Sequence, residues 1–308
     1  NKAILNDQLN DSLTAASPKI EKSENEIGGD KSLSESHSLL SVDSPSERLE
    51  TPSVLSLPPI NTYPLRDWAI PEPKVDVAAS LVKDLDSGYI FWDKNSSQRW
   101  PIASLTKLMT AIISLENFDI SKETTVSKNA VSIAGGGEIL KADASYQIDY
   151  LLKLMLLNSS NDAAAAMAET YFSPDEFVKA MQRKGEELGM SQTNFLDSTG
   201  LSVANQSTPN NLALLVKYVL KNHPEIFKTT ALKIYRDIKN TNEFAGRFDF
   251  IGGKTGFIDE SGGNLISVFR YRSGKSDFPI LIIVLGSKDR FNDTQALLGW
   301  VKQAYSFK

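Results

Sequence analysis

Three apolar stretches near the C-terminal end, at 248–257, 264–271 and 280–287, are separated by turns containing Gly and Ser. Such spacing predicts antiparallel strands. Far upstream, 78–83 and 89–93, joined by Asp84-Leu85-Asp86-Ser87-Gly88, read as a hairpin. Between these two groups the periodicity is helical: 104–116, Ile148–Leu157, an Ala-rich stretch from Asp162 to about Tyr171, 174–188 ahead of Gly189, and 209–221 behind the caps Ser207 and Thr208. A closing helix is expected over 293–305. Strands at both ends with helices between them imply an α+β fold: one antiparallel sheet built from both chain ends, with an inserted helical subdomain.

The segment 126–137 reads as irregular and ends in Gly135-Gly136-Gly137. Residues 1–66 are rich in Ser, Asp, Glu and Asn, with Ser-Pro and Thr-Pro steps and little periodicity. Such a segment buries too little apolar surface to offset its ordering entropy, so it is expected to be a low-complexity stalk or linker. Residues 67–308 are then expected to form the folded domain.

Composition removes several classes of function. A net charge of −5 argues against a general nucleic-acid or anionic-membrane surface. With no Cys there are no disulfides and no thiolate metal sites. The two histidines are His37, in the polar tail, and His223, ahead of Pro224 at an expected helix end. That placement argues against a Ser-His-Asp triad or a histidine-rich zinc site. No apolar run reaches membrane-spanning length, and no signal peptide is evident.

Three motifs carry chemistry. In Trp100-Pro101-Ile102-Ala103-Ser104-Leu105-Thr106-Lys107, a serine opens a buried helix and a lysine follows three residues later. Residues three apart share a helix face, so the amine can reach the hydroxyl. Serine needs a base, and a desolvated lysine crowded by other cations can be one. The plainer alternative is an N-cap serine beside a solvated lysine. Ser80 and Lys83 have the same spacing, but on a strand, where positions three apart face opposite ways. The second motif, Ser159-Ser160-Asn161, joins two helices. Its hydroxyl can pass a proton and its amide can hold a peptide group, or the same side chains can simply cap the next helix. Ser-x-Asn also occurs at Ser23-Glu24-Asn25 in the tail and at Ser127-Lys128-Asn129 in a polar segment. The third, Gly252-Gly253-Lys254-Thr255-Gly256-Phe257, ends a strand. Its glycines let a ligand backbone lie close, and Lys254 and Thr255 can hold a carboxylate. The alternative there is a Gly-rich bulge with a solvated lysine.

Ser-x-x-Lys, Ser-x-Asn and Lys-Thr-Gly in this order resemble the penicillin-recognising serine enzymes. The finer resemblance is to the low-molecular-mass penicillin-binding proteins, the serine-type D-Ala-D-Ala carboxypeptidases. It rests on Ala103 to Ala111, on Asn158-Ser159-Ser160-Asn161-Asp162-Ala163-Ala164, on Leu188-Gly189-Met190 with Thr193-Asn194-Phe195 and Gly200-Leu201, and on Gly253-Lys254-Thr255-Gly256. It spans about Asp76 to Trp300. Two departures stand out. Many members continue into a β-rich second domain and an amphipathic anchor, which this chain does not show, and Phe257 stands where close relatives often have His. An anchor upstream of Asn1, with 1–66 as stalk, is the substitute expectation.

The resemblance implies a β-lactamase-like transpeptidase fold and acyl transfer on peptidoglycan stem peptides ending in D-Ala-D-Ala, outside the cytoplasmic membrane, with no metal or organic cofactor. It implies that Ser104 attacks, Lys107 takes its proton, and the backbone N–H groups of Ser104 and Phe257 form the oxyanion hole. Ser159 with Lys254 relays a proton to the leaving D-Ala, Asn161 orients the substrate amide, and Thr255 with Arg290 holds the terminal carboxylate beside Gly256. β-Lactams should acylate Ser104. The ranked alternatives are a D,D-endopeptidase on cross-links, then a serine β-lactamase, which would need a deacylating carboxylate although this chain has no Glu-x-x-Leu-Asn segment between Asn161 and Lys254, then a non-catalytic wall-binding module.

Overall fold

The computed structural model describes residues 64–135, 139–273 and 276–307. The stalk assigned to 1–66 therefore lies outside the described residues as far as residue 63, and Leu65–Arg66 pairs antiparallel with Tyr305–Ser306. Gly136 and Gly137 of the expected loop also lie outside them.

Five strands form one antiparallel sheet: β1 Ala79–Asp84, β2 Ile90–Lys94, β3 Phe250–Ile258, β4 Gly262–Ser273 and β5 Ser276–Ser287. Their spatial order is β3-β4-β5-β1-β2, so β5 from the C-terminal end pairs with β1 from the N-terminal end, Ile282 opposite Val82. This is the sheet expected from the two ends of the chain. The cause is visible in β5, where every second side chain turns to the same face. Ile280, Ile282 and Val284 lie in one core with Phe269, Leu297 and Val301, while Leu281, Ile283 and Leu285 lie in the other with Leu108, Met155 and Phe227. A strand apolar on both faces is stable only when both are covered. Burial of each such side chain contributes about 1.5–3 kcal/mol.

The helices are α1 Lys107–Asn117, α2 Lys128–Val131, α3 Ile148–Leu157, α4 Asn161–Glu169, α5 Pro174–Glu187, α6 Pro209–Asn222, α7 Pro224–Thr230 and α8 Arg290–Ala304. Most boundaries follow local chemistry. Ser173 and Glu176 form a capping box ahead of α5, with Pro174 at its first position. Thr208 caps α6 and Asp289 caps α8. The Asp289 cap starts α8 three residues before the expected 293, which puts Arg290 in its first turn.

Two findings differ from the sequence reading. His223 ends α6, but Pro224 immediately begins α7, whose Phe227 is buried against β3. Ser127 was placed in a polar stretch without structure, yet it caps α2 and donates to Glu169 of α4. Among the described residues, no helix is long and apolar enough to cross a membrane.

Candidate active site

Ser104 sits in a 3-10 turn, Ala103–Thr106, that leads directly into α1. Ala103 has φ +49°, a left-handed conformation costly for a residue with a Cβ. The turn is held from two sides. The Ile102 N–H donates to the Asn205 carbonyl (2.9 Å), and Gly200 presses on the Ala103 carbonyl so closely that a Cβ there would come within 2.0 Å of its oxygen. Gly200 itself has φ +87°. The outcome is a half-exposed Ser104 among fully buried neighbours.

Lys107, one turn on, has no exposed surface. Its Nζ lies 2.8 Å from Ser104 Oγ, 2.7 Å from Asn161 Oδ1 and 2.5 Å from the Thr199 carbonyl oxygen. Asn161 Nδ2 donates to the Ala134 carbonyl (2.7 Å), which fixes which end of the amide meets the lysine. Burial pushes the Lys107 amine down to about 7, against the opposing pull of Asp197 and Asp162. The partner set suits either protonation state. An ammonium gives one N–H to each of three acceptors. A neutral amine gives its two N–H groups to Asn161 and Thr199, which can only accept, and turns its lone pair to the Ser104 hydroxyl. Only the serine proton has to move.

Ser159 and Ser160 divide the two readings of their motif between them. Ser160 caps α4 by accepting from the Ala163 N–H, whereas Ser159, at φ +65°, accepts from Lys254 Nζ at 2.8 Å. Lys254 is fully buried on β3 and also donates to the Thr255 carbonyl (3.0 Å). Burial, with Lys107 and Arg290 nearby, pushes its amine well below the ordinary lysine value.

Strand β3 is an edge of the sheet, with β4 on one side only. Gly256 brings it against the nucleophile turn: a Cβ there would lie 2.8 Å from the Ile102 oxygen and 3.1 Å from the Ser104 nitrogen. Phe257 follows with its ring mostly exposed at the rim. Thr255 is buried, its hydroxyl 2.8 Å from that of Thr241. Arg290 Nη1 donates to the Gly256 carbonyl (2.9 Å).

Eight of the nine residues singled out in the sequence are thus linked by contacts through Lys107, Lys254 and Gly256, and Phe257 follows Gly256 on the β3 edge. Sequence reasoning missed Asp197, Thr199, Asn205 and Thr241. The Asp197-Ser198-Thr199-Gly200 run was the available signal, since Asp two or three residues before such N–H groups marks an Asx turn.

A sheet of this order, with a serine–lysine pair at a helix mouth and a lysine on the facing edge strand, defines a penicillin-binding-protein type of serine enzyme. Penicillin-binding protein D2 of Listeria monocytogenes, solved in an ampicillin-bound form, is similar with a TM-score of 0.64 and 29% identity, over 75% of this chain and 98% of that one. The family model for D-alanyl-D-alanine carboxypeptidase matches residues 68–289. The chain belongs to that family. It is 37% identical over 212 residues to a D-alanyl-D-alanine endopeptidase of Haemophilus influenzae, covering 62% of this chain and 70% of the relative. To the D-alanyl-D-alanine carboxypeptidase DacF of Bacillus subtilis it is 32% identical over 203 residues, covering 60% of this chain and 52% of DacF. It therefore spans about half the length of DacF.

Proposed function

We propose that residues 67–308 are the catalytic domain of a serine D-alanyl-D-alanine carboxypeptidase acting on peptidoglycan stem peptides. The observation that carries this is the buried Lys107 amine, held to about 7 and in contact with a reachable Ser104 hydroxyl. Ser104 Oγ attacks the penultimate D-alanyl carbonyl as Lys107 accepts its proton, forming the C–O bond of a tetrahedral intermediate. The backbone N–H groups of Ser104 and Phe257 receive the oxyanion, a contribution of about 3 kcal/mol per donor in comparable sites. Collapse breaks the C–N bond, and the Ser159–Lys254 pair passes a proton to the departing D-Ala. Asn161 orients the substrate amide, and Thr255 and Arg290 hold its terminal carboxylate beside Gly256. Water then attacks the acyl-enzyme and regenerates Ser104.

The Listeria relative's ampicillin-bound form supports β-lactams as ligands of such a site, and acylation of Ser104 by them follows from the proposed mechanism. A D,D-endopeptidase activity on cross-links is the second reading, favoured by the Haemophilus influenzae relative. We further propose that the protein works outside the cytoplasmic membrane, where peptidoglycan stem peptides lie.

A fluorescent penicillin followed by a denaturing gel tests the acyl-enzyme. A persistent band is expected from the native chain and none from Ser104→Ala. Labelling of that variant would remove the mechanism. Free D-Ala released from a pentapeptide, compared with cleavage of cross-linked dimers, decides between the two peptidase readings.

A further inference from the structure

Asp197 makes its hydrogen bonds to neither Ser104 nor Lys107, yet the loop that meets both is organised around it. Its Oδ1 accepts from the Thr199 N–H (2.8 Å), the Thr199 hydroxyl (2.7 Å) and the Gly200 N–H (2.6 Å). Its Oδ2 accepts from the Ser202 N–H (2.9 Å) and Asn205 Nδ2 (2.8 Å). Four of these five donors belong to residues that build the nucleophile's surroundings. Thr199 offers its carbonyl to Lys107, Gly200 supports the strained Ala103, and Asn205 holds the Ile102 N–H.

We propose that Asp197 is a positioning residue for the acyl-transfer step: it folds the 197–205 loop onto Lys107 and supplies that loop's negative charge. The proposal rests on the Ser104–Lys107 reading above and adds a residue to it.

A purely mechanical staple would not need a charge, and here the charge has a direction of action. The ionisable groups facing Lys107 are Asp162 on α4, Lys254 on β3 and Asp197 on this loop, with Arg290 acting on Lys254. Asp197 and Asp162 favour the ammonium, while burial opposes it. Burial raises the Asp197 carboxyl as well, but the hydrogen bonds from Thr199, Ser202, Gly200 and Asn205 outweigh that and hold it below its ordinary value. It is therefore ionised wherever Lys107 titrates. Removing its charge must lower the pH at which Lys107 becomes a free base.

The test is the pH profile of the second-order rate of acylation by a fluorescent penicillin, measured on native protein, Asp197→Asn and Asp197→Glu, with melting temperatures alongside. Asp197→Asn is expected to move the acid limb down by roughly half a pH unit or more and to lower the plateau rate about tenfold through the loosened loop. Asp197→Glu keeps the charge, and its added methylene has room in the cavity of about 300 Å³ that Asp197 lines with Ala165, Val178 and Leu201. Its limb should stay at the native position. A folded Asp197→Asn variant whose limb does not move overturns the proposal. Should that variant fail to fold, a displaced limb in Asp197→Glu overturns it equally. Native protein that is never acylated would refute the enzyme reading itself, which is a different result.

Discussion

At the residue scale the proposed chemistry depends on two lysines kept dry. An exposed lysine is protonated at neutral pH and cannot take a proton, and burial lowers Lys107 into the range that the proposed base needs. Since its neutral form grows as pH rises through about 7, acylation of Ser104 should climb nearly tenfold per pH unit below that value and level off above it. The measurement is penicillin labelling from pH 5 to 9; a rate independent of pH across the interval would show that Lys107 is not the base. Lys107→Met should lower the plateau by ~10²–10⁴ while leaving the fold intact, because Met fills the same apolar stem. The side chains of this site were legible in the sequence because serine, lysine and asparagine at fixed spacing have few other reasons to occur together. Their backbone partners were not. The carbonyls of Thr199 and Ala134 hold Lys107 and Asn161, and a carbonyl carries no residue identity to read.

At the scale of elements, the periodic segments were placed closely: Ile148–Leu157 agrees residue for residue, and the expected 174–188 and 209–221 lie within one residue of α5 and α6 at each end. What escaped was short or bounded ambiguously. A proline after a helix normally marks its end, but at Pro224 it also preorganises the first turn of α7. That helix matters to the site, because the Thr230 hydroxyl accepts from the Gly253 N–H (3.0 Å) on the edge strand β3. The loop from Asp197 to Asn205 is similarly aperiodic, and its role follows from contacts made across the molecule. Gly200 is its most constrained position. Replacing it with Ala puts a methyl against the Ala103 carbonyl at φ +87°, at a cost of about 2–5 kcal/mol. Urea unfolding should show that loss together with a marked drop in labelling, whereas an unchanged midpoint would mean that the turn can shift freely.

Across the whole molecule, one sheet divides two cores, and the site lies where its edge strand meets the helical body. Phe269 on β4 belongs to the core under α8, with rings of Phe244 and Phe250 at 5.3 and 5.4 Å. Phe269→Ala should cost about 3–5 kcal/mol in thermal or urea denaturation, and a single transition is expected because the five strands are shared by both cores. Two separate transitions would show that the cores unfold independently. The sheet order has another consequence. Strand β5 separates β4 from β1, so the hairpin of β1 and β2 has no neighbour to join until Ser276–Ser287 exists. A ribosome delivers Ser104 and Lys107 early and Lys254 much later, and the strand that joins the two halves of the sheet almost last. A growing chain thus lacks a continuous sheet for most of its synthesis, and a product ending before Ser276 is expected to take no penicillin label.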